Sequence, residues 1–118
     1  MKSGAESGWD YSSRWFFGKD GSPSQELTDI VTRHIIPVDL NSYLCKNAHI
    51  LSNFYHILGQ EQKSNEYKGI FDDFVNSINE VLWNAEKGAW FDYNTKSNEQ
   101  NVQFYPSNLA PLWADCYK

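Results

Sequence analysis

The residues of this sequence that could do chemistry are concentrated near its beginning. Between Glu6 and Phe16, the carboxylate of Asp10 lies among aromatic rings, serine hydroxyls and the guanidinium of Arg14. A carboxylic acid can protonate a glycosidic oxygen, and flat rings can cover the apolar faces of sugars. The pattern therefore has what a site that cleaves sugars requires. From the residues alone the favoured interpretation is an Asp that hydrogen-bonds a turn, with the aromatic side chains in the core, because short motifs also occur by chance.

The composition limits the kind of domain that can position these residues. The chain has 118 residues, of which 41% are hydrophobic and 21% charged, and this fits one modest domain with its own core. The aromatic content of 16% suits either a carbohydrate-binding surface or a well-filled core. A net charge of −5 without a Lys/Arg run argues against nucleic acid and anionic membranes as partners. No apolar run approaches the roughly 18 residues of a membrane span, so we expect no membrane contact from this segment.

No metal or cofactor site is predicted. Cys45 and Cys116 match no zinc spacing and form no Cys-x-x-Cys motif. Two buried thiols are favoured over a disulfide, which the sequence alone does not establish. His34 has no Cys, Asp or second His at ligand spacing, and it is interpreted as structural.

Hydrophobic periodicity predicts two long helices. The first is expected to begin with Asp39 as its N-cap and to stop at Gly59, and the second to run from Gln60 to Leu82. A connection of a few residues predicts that they pack as an antiparallel hairpin. The apolar stripes are interpreted as core; they are Leu40, Tyr43, Leu44, Leu51, Phe54, Tyr55 and Leu58, and then Tyr67, Ile70, Phe71, Phe74, Val75, Ile78, Val81 and Leu82.

The flanking segments are shorter and less regular. Residues 31–37 are β-branched and apolar, which predicts a few extended residues. Residues 83–93 predict a short two-stranded hairpin or an aromatic loop that turns at Glu86-Lys87-Gly88, and residues 94–101 a polar, exposed loop. A third helix is expected after a cap at Ser107 or Asn108, with Pro111 in its first turn, running on to Lys118. This abrupt end, with the chemical motif at the other end, suggests a piece of a longer chain.

The segment Glu6–Phe16 resembles the Glu-Ser-Gly-Trp-Asp-Phe-Ser-Ser-Arg-Trp motif of the trehalases, with Tyr11 in place of the more usual Phe. Trehalases are glycoside hydrolases that split α,α-trehalose into two glucoses. The resemblance extends along the chain, in the order and spacing of the animal members. Its further segments are Ile36-Pro37-Val38-Asp39-Leu40-Asn41, Leu82-Trp83, Gly88-Ala89-Trp90-Phe91-Asp92-Tyr93, Phe104-Tyr105-Pro106-Ser107-Asn108-Leu109 and Pro111-Leu112-Trp113-Ala114.

The resemblance implies an all-α fold in which helical hairpins form one arc of an (α/α)6 barrel. Residues 1–118 would then be part of a trehalase catalytic domain. It also implies an inverting mechanism with Asp10 as general acid and with trehalose as substrate. Burial and hydrogen bonding are expected to raise the pKa of Asp10 so that it stays protonated.

Three further residues are predicted from the resemblance to bind substrate. Gly8 would do so through its backbone. Trp9 is either a stacking platform or core, and Arg14 either contacts sugar or orients Asp10 and its turn.

The general base of the family is a Glu in a downstream segment that these residues do not include. The other acidic residues are interpreted as solvated, or as caps and turn residues, and the 118 residues alone are expected to be inactive. Animal members are typically secreted or anchored at the cell surface, while the oligomeric state is left open. The alternatives are a non-catalytic remnant that acts as a helical interaction module, and a helical scaffold unrelated to sugars.

Overall fold

The computed structural model describes residues 7–9, 12–19, 21–24, 26 and 29–118. It is mostly helical with five short strands among these residues, which confirms the predicted all-α class with a small hairpin region. The chain divides into two compact units. One comprises Met1–Ile36 with Asp92–Asn101, and the other comprises Pro37–Phe91 with Val102–Lys118. Asp10 and Tyr11 lie outside the described residues.

The second unit is built on helix α1, Val38–Ile57, which begins two residues earlier than predicted. Its N-cap is Pro37, whose backbone is extended, so the prediction that Asp39 caps the helix is wrong. Asp39 lies in the first turn, where its Oδ1 accepts the N–H of Leu40 at 3.0 Å. A carboxylate in the first turn still interacts favourably with the positive end of the helix dipole. The Pro37 carbonyl accepts the side-chain amide of Asn41 at 2.8 Å.

The end of α1 confirms the predicted stop. Gly59 has φ = 75°, a left-handed conformation that glycine adopts without steric cost, and its N–H donates to the His56 carbonyl at 3.0 Å. The chain then enters helix α2, Glu61–Ser77, after one more residue.

Contacts between α1 and α2 confirm the antiparallel hairpin. His49 stacks on Phe71 with ring centroids 4.7 Å apart, while Ser52, later in α1, meets Ser64, earlier in α2. Each of these serine hydroxyls donates to the other residue's carbonyl at 2.9 Å. The two serines are buried, so this reciprocal pair satisfies their hydroxyls inside the interface.

The face of α1 that is buried is not the predicted one. Its buried residues are small: Val38, Ser42, Cys45, Ala48 and Ser52. They share the helical period of the predicted stripe but lie at a different angle around the helix, and small side chains let a neighbouring helix approach closely. The predicted core residues of α1 are exposed in this chain, with the exception of half-buried Tyr55; they are Leu40, Tyr43, Leu44, Leu51, Phe54 and Leu58.

After α2, one π-helical segment, Ile78–Leu82, leads into a two-stranded hairpin of β2, Trp83–Asn84, and β3, Ala89–Trp90. Trp83 pairs with Trp90 across the hairpin, and their rings lie 4.7 Å apart. The side chain of Asn84 closes the turn by accepting the N–H of Lys87 at 2.9 Å. The hairpin predicted around residues 86–88 is therefore confirmed.

The third helix is shorter than predicted. A 3-10 turn, Pro106–Leu109, precedes helix α3, Ala110–Ala114, with Pro111 in the first turn as expected. Asn108 caps the turn from within, since its Oδ1 accepts the N–H of Tyr105 while its Nδ2 donates to the Trp90 carbonyl. The helix stops at Asp115, which has φ = 56°, so the prediction that it continues to the end of the chain is wrong.

The first unit contains a three-stranded antiparallel sheet of β1, Ile35–Ile36, β4, Tyr93–Asn94, and β5, Glu99–Gln100, in the order β1-β4-β5. Only the last part of the segment predicted to be extended forms a strand, because Thr32–His34 is a 3-10 turn. The hydrophobic cluster of the first unit consists of Trp15, Phe16, Phe17 and Ile35, with Trp9, Ile30 and Val31 packed against it.

The exposed loop predicted at 94–101 is a hairpin with buried polar ends. Asn94 and Asn101 are both buried, and the Asn94 Oδ1 accepts the N–H of Lys96 at 2.9 Å inside the turn. The predicted exposure is confirmed for Thr95, Lys96, Asn98 and Glu99 and is wrong at the two ends, because Asn side chains can complete a turn's hydrogen bonds as well as face solvent. In the part of the chain that the structure describes, no helix is long and apolar enough to cross a membrane.

Cys45 and Cys116 form a disulfide, so the preference for two free thiols is wrong. The bond links α1 to the segment that follows α3, with Cα atoms 6.4 Å apart. The two cysteines are 71 positions apart, and only the return of the chain to α1 brings them together. Sequence spacing carries no signal of that return.

We predict that replacing both cysteines, Cys45→Ser with Cys116→Ser, lowers the free energy of unfolding by about 4 kcal/mol, because the unfolded chain regains the entropy of an open loop. Urea denaturation of the 118-residue chain measures this. Reduction by dithiothreitol should destabilise the unchanged chain and leave the double variant unaffected. Titration of two free thiols in the denatured, unreduced chain would contradict the bond.

Candidate functional site

The predicted site lies in the N-terminal segment of the first unit. Its central residue, Asp10, is outside the described residues, but the residues on both sides of it are described. On the N-terminal side, the Ser7 hydroxyl accepts the N–H of Trp9 at 3.2 Å. Gly8 between them is exposed and has φ = 75°. This conformation favours glycine and leaves no side chain over the backbone atoms that are predicted to contact substrate.

The carbonyl of Trp9 ties the two sides of position 10 together. It accepts the backbone N–H of Ser12 at 3.3 Å and the indole Nε1–H of Trp15 at 2.9 Å. The first of these bonds spans positions 10 and 11. The segment before Asp10 is therefore bonded directly to the segment after it.

On the C-terminal side, Ser12 caps a 3-10 turn, Ser13–Trp15. Its backbone is extended, as is usual at an N-cap, and its hydroxyl accepts the N–H of Arg14 at 3.3 Å. The Ser-Ser-Arg-Trp part of the motif thus has a local structural function, since one serine starts the turn that carries Arg14 and Trp15.

Arg14 lies in the interior of the unit with 0% of its surface exposed. Its Nε donates to Asp92 Oδ2 at 2.7 Å and its Nη2 to Asp92 Oδ1 at 2.9 Å. Its guanidinium carbon lies 4.8 Å from the ring centre of Trp9 and 4.9 Å from that of Trp15. We name this arrangement of Arg14, Asp92, Trp9 and Trp15 the arginine clamp.

The clamp has the geometry that an arginine requires in a protein interior. A planar guanidinium matches a carboxylate through two parallel hydrogen bonds, and its faces stack on aromatic rings. Asp92 is itself only 2% exposed, so the two hydrogen bonds of the pair replace part of the hydration that both charges lose. A buried pair of this kind loses several kcal/mol when one partner is removed, because the remaining charge is then uncompensated.

Sequence reasoning missed Asp92, which it placed in or beside a turn and assigned no role. The only available signal was indirect, because an arginine among aromatic residues requires an anion when it is buried. The sequence contains 15 acidic residues, and nothing in their spacing selects the one 78 positions from Arg14.

The structure describes three of the four predicted site residues. Gly8, Trp9 and Arg14 lie within one short segment, on either side of Asp10. Trp9 is half-buried and packs against the hydrophobic cluster, while it also covers one face of Arg14. Sugar binding by Trp9 and Arg14 remains a prediction. Among the residues described, no group of three or more His, Cys, Asp or Glu residues could hold a metal ion.

The sequence matches the family model for trehalases over residues 1–118. This chain therefore belongs to the trehalase family, which confirms the resemblance drawn from its motifs. It is 45% identical to a trehalase of Homo sapiens over 117 residues, which cover 99% of this chain and 20% of that protein.

Two other relatives match the chain with similar identity and coverage. Identity to a trehalase of Apis mellifera is 45%, over 99% of this chain and 18% of the relative. For a trehalase of Dictyostelium discoideum it is 42%, over 98% of this chain and 19% of the relative. The chain thus spans about a fifth of the length of the curated relatives that it matches.

We predict that Ser12→Ala lowers the free energy of unfolding by about 1 kcal/mol, because the N–H of Arg14 loses its cap. Urea denaturation provides the measurement. Ser12→Asn is the matched control, since an Asn oxygen can accept the same N–H, and it should recover most of the loss. Equal losses for the two variants would show that the cap contributes nothing.

Proposed function

We propose that this chain contributes the general acid, Asp10, to a glycoside hydrolase that cleaves α,α-trehalose into two glucoses with inversion. The observation that carries the proposal is the family match over all 118 residues, together with the nearly unbroken motif between Glu6 and Phe16. The geometry around position 10 supports it, because the residues that flank the acid are bonded to each other. General acid catalysis needs such positioning, since the acid must lie within hydrogen-bond reach of the oxygen that it protonates.

The reaction needs two carboxyl groups. Asp10 donates a proton to the oxygen that bridges the two glucoses, while a base on the opposite face removes a proton from water as it attacks the anomeric carbon. In inverting enzymes the two carboxyl groups stand roughly 6.5–9.5 Å apart, which leaves room for that water. The acid must be protonated at the start of each cycle, which requires surroundings that favour the neutral form of a carboxyl group.

We propose that the base comes from outside these 118 residues. Several carboxylates that are described already have other partners. Asp92 is bonded to Arg14, and the others of this group lie beside basic side chains on the exposed surface of the helical hairpin. These contacts are Glu61 with His56, Glu66 with Lys63 and Asp72 with Lys68. Because a base must face the substrate, we assign the base to none of these carboxylates.

The other predicted site residues have distinct functions in this proposal. Gly8 offers its backbone to the substrate, since it is exposed and has no side chain. Trp9 offers the exposed part of its ring to a sugar face, while its other contacts hold it in the cluster. For Arg14 we favour the alternative that it orients Asp10 and its turn over direct sugar contact, and its burial against Asp92 supports this.

A second candidate function is a non-catalytic helical interaction module. It is favoured by the large apolar side chains that α1 exposes towards its end: Phe54 at 57%, Ile57 at 78% and Leu58 at 68%. A contiguous apolar face of this kind normally packs against more protein. A catalytic trehalase would cover it with further helices of the same domain, whereas an interaction module would cover it with a different protein.

We predict that the purified 118-residue chain releases no measurable glucose from trehalose, because it supplies one carboxyl group of the pair. A coupled glucose assay at high protein concentration is the measurement. Glucose release that Asp10→Asn abolishes would contradict this prediction and would place the base within the chain.

We predict that the same residues support catalysis when the remainder of a trehalase is supplied. Residues 1–118 would replace the matching fifth of the Homo sapiens relative, and kcat for trehalose would be compared before and after Asp10→Asn. The expected loss is about 10²- to 10⁴-fold, the usual contribution of general acid–base catalysis. Asp73→Asn, on the exposed face of α2, is the matched control and should change kcat less than twofold. A chimera that is inactive, or indifferent to Asp10→Asn, would count against the proposed function.

A further inference from the structure

We propose that Asp92 is a positioning residue for the general acid, and that it acts through Arg14 on the backbone at either side of position 10. This inference rests on the proposed function, in which Asp10 is the acid. Asp92 contributes no atom to the reaction. Its function is to hold Arg14, which contacts the acid-bearing segment on both sides of position 10.

The connection from Asp92 to position 10 is short and continuous. Asp92 binds the Arg14 guanidinium through both carboxylate oxygens, at 2.7 and 2.9 Å. The guanidinium lies between the rings of Trp9 and Trp15. Trp15 in turn donates its indole N–H to the carbonyl of Trp9, the residue directly before Asp10. The N–H of Arg14 is bonded to the Ser12 hydroxyl, two residues after Asp10.

Asp92 is well suited to serve as the fixed end of this connection. Its carbonyl accepts the N–H of Asn101 at 2.8 Å, across the base of the hairpin formed by β4 and β5. The next residue, Tyr93, pairs with Ile36 of β1 and with Gln100 of β5. The carboxylate therefore projects from a backbone that the three-stranded sheet holds on both sides. The acid-bearing segment contains a three-residue 3-10 turn, Ser13–Trp15.

Charge and burial make Arg14 sensitive to the loss of Asp92. With 0% of Arg14 exposed, its guanidinium is held by the charges and hydrogen bonds around it, and Asp92 accepts two of those bonds. Neutralising Asp92 weakens this set, so we expect Arg14 to shift and the rings of Trp9 and Trp15 beside it to shift with it. A shift of about 1 Å at a reacting group can cost about 10²-fold in rate. The effect on catalysis is thus expected to exceed the effect on substrate binding.

The test uses the chimera with the Homo sapiens relative and two substrates. Trehalose needs protonation of its bridging oxygen when the C–O bond breaks. In α-glucosyl fluoride the C–F bond breaks with loss of fluoride, which needs no proton from the enzyme, and water again supplies the new hydroxyl. A misplaced acid therefore slows trehalose hydrolysis selectively. Any general damage to the site slows both substrates.

For Asp92→Asn we expect kcat for trehalose to fall about 10²-fold. We expect kcat for the fluoride to change less than about fivefold, since the base is left in place, and any rise in KM to be equal for the two substrates, since Trp9 is itself a proposed sugar contact. Asn94→Ala is the matched control, because it removes another buried polar side chain from the same hairpin without touching Arg14. Whatever it costs should be equal for the two substrates.

A double variant separates positioning from simple stability. Arg14→Met with Asp92→Leu removes both charges, and apolar replacements of a buried ion pair are often neutral or stabilising. We expect it to restore the unfolding midpoint to near that of the unchanged chimera while the loss on trehalose persists. Recovery of stability and trehalose hydrolysis together would overturn the proposal, as would equal losses of Asp92→Asn on both substrates.

A second measurement needs no activity. Hydrogen exchange of the Ser12 and Trp15 backbone amides in the 118-residue chain should become at least tenfold faster in Asp92→Asn than in Asn94→Ala. Unchanged exchange at both amides would overturn the clamp as a positioning device. If instead Asp10→Asn leaves trehalose hydrolysis intact while these amides do respond, the proposed function fails and the clamp stands as a structural contact.

Discussion

The buried pair of Arg14 and Asp92 is the constraint around which the first unit is arranged. A guanidinium without access to water must be neutralised, hydrogen-bonded and covered, and each requirement recruits a different part of the chain. Asp92 neutralises it, and Trp9 and Trp15 cover it. Asp92 follows the helical hairpin in sequence, so the contacts of the N-terminal segment include one with a residue 78 positions away. The motif that marks the family is thus not a self-contained local structure.

The helical unit follows a different principle, because its internal contacts depend on small side chains. The hidden face of α1 consists of Val, Ser, Cys, Ala and Ser, and the reciprocal bonds of Ser52 and Ser64 let the hairpin close without an unsatisfied hydroxyl. The larger apolar residues of α1 remain on the outside. The curated relatives in the trehalase family contain about five times as much chain, which is enough further protein to cover these exposed residues.

Local sequence patterns predicted much of the fold, but they predicted none of the pairings between segments that are distant in sequence. The helical hairpin, the stop at Gly59 and the turn at residues 86–88 follow from periodicity and from turn chemistry, which act over a few residues. The buried face of α1 was misjudged because periodicity identifies a helix without saying which face is covered when several faces are apolar. Asp92, the disulfide and the sheet of β1, β4 and β5 all join segments far apart in sequence, and no local rule reports them. For the candidate site, the sequence identified the segment and its candidate acid, whereas the clamp that holds the segment required the structure.

The link between Cys45 and Cys116 also imposes an order of events on biosynthesis. Ribosomes add roughly 5–20 residues per second, so the first thiol waits roughly 4–14 seconds before its partner, 71 residues later, has been made. Helix α1 and the hairpin can form in that interval, because helical contacts form in microseconds. The disulfide therefore forms after the fold around it and does not guide the chain towards that fold. It persists only where the surroundings are oxidising, so the compartment in which this chain matures becomes part of its stability.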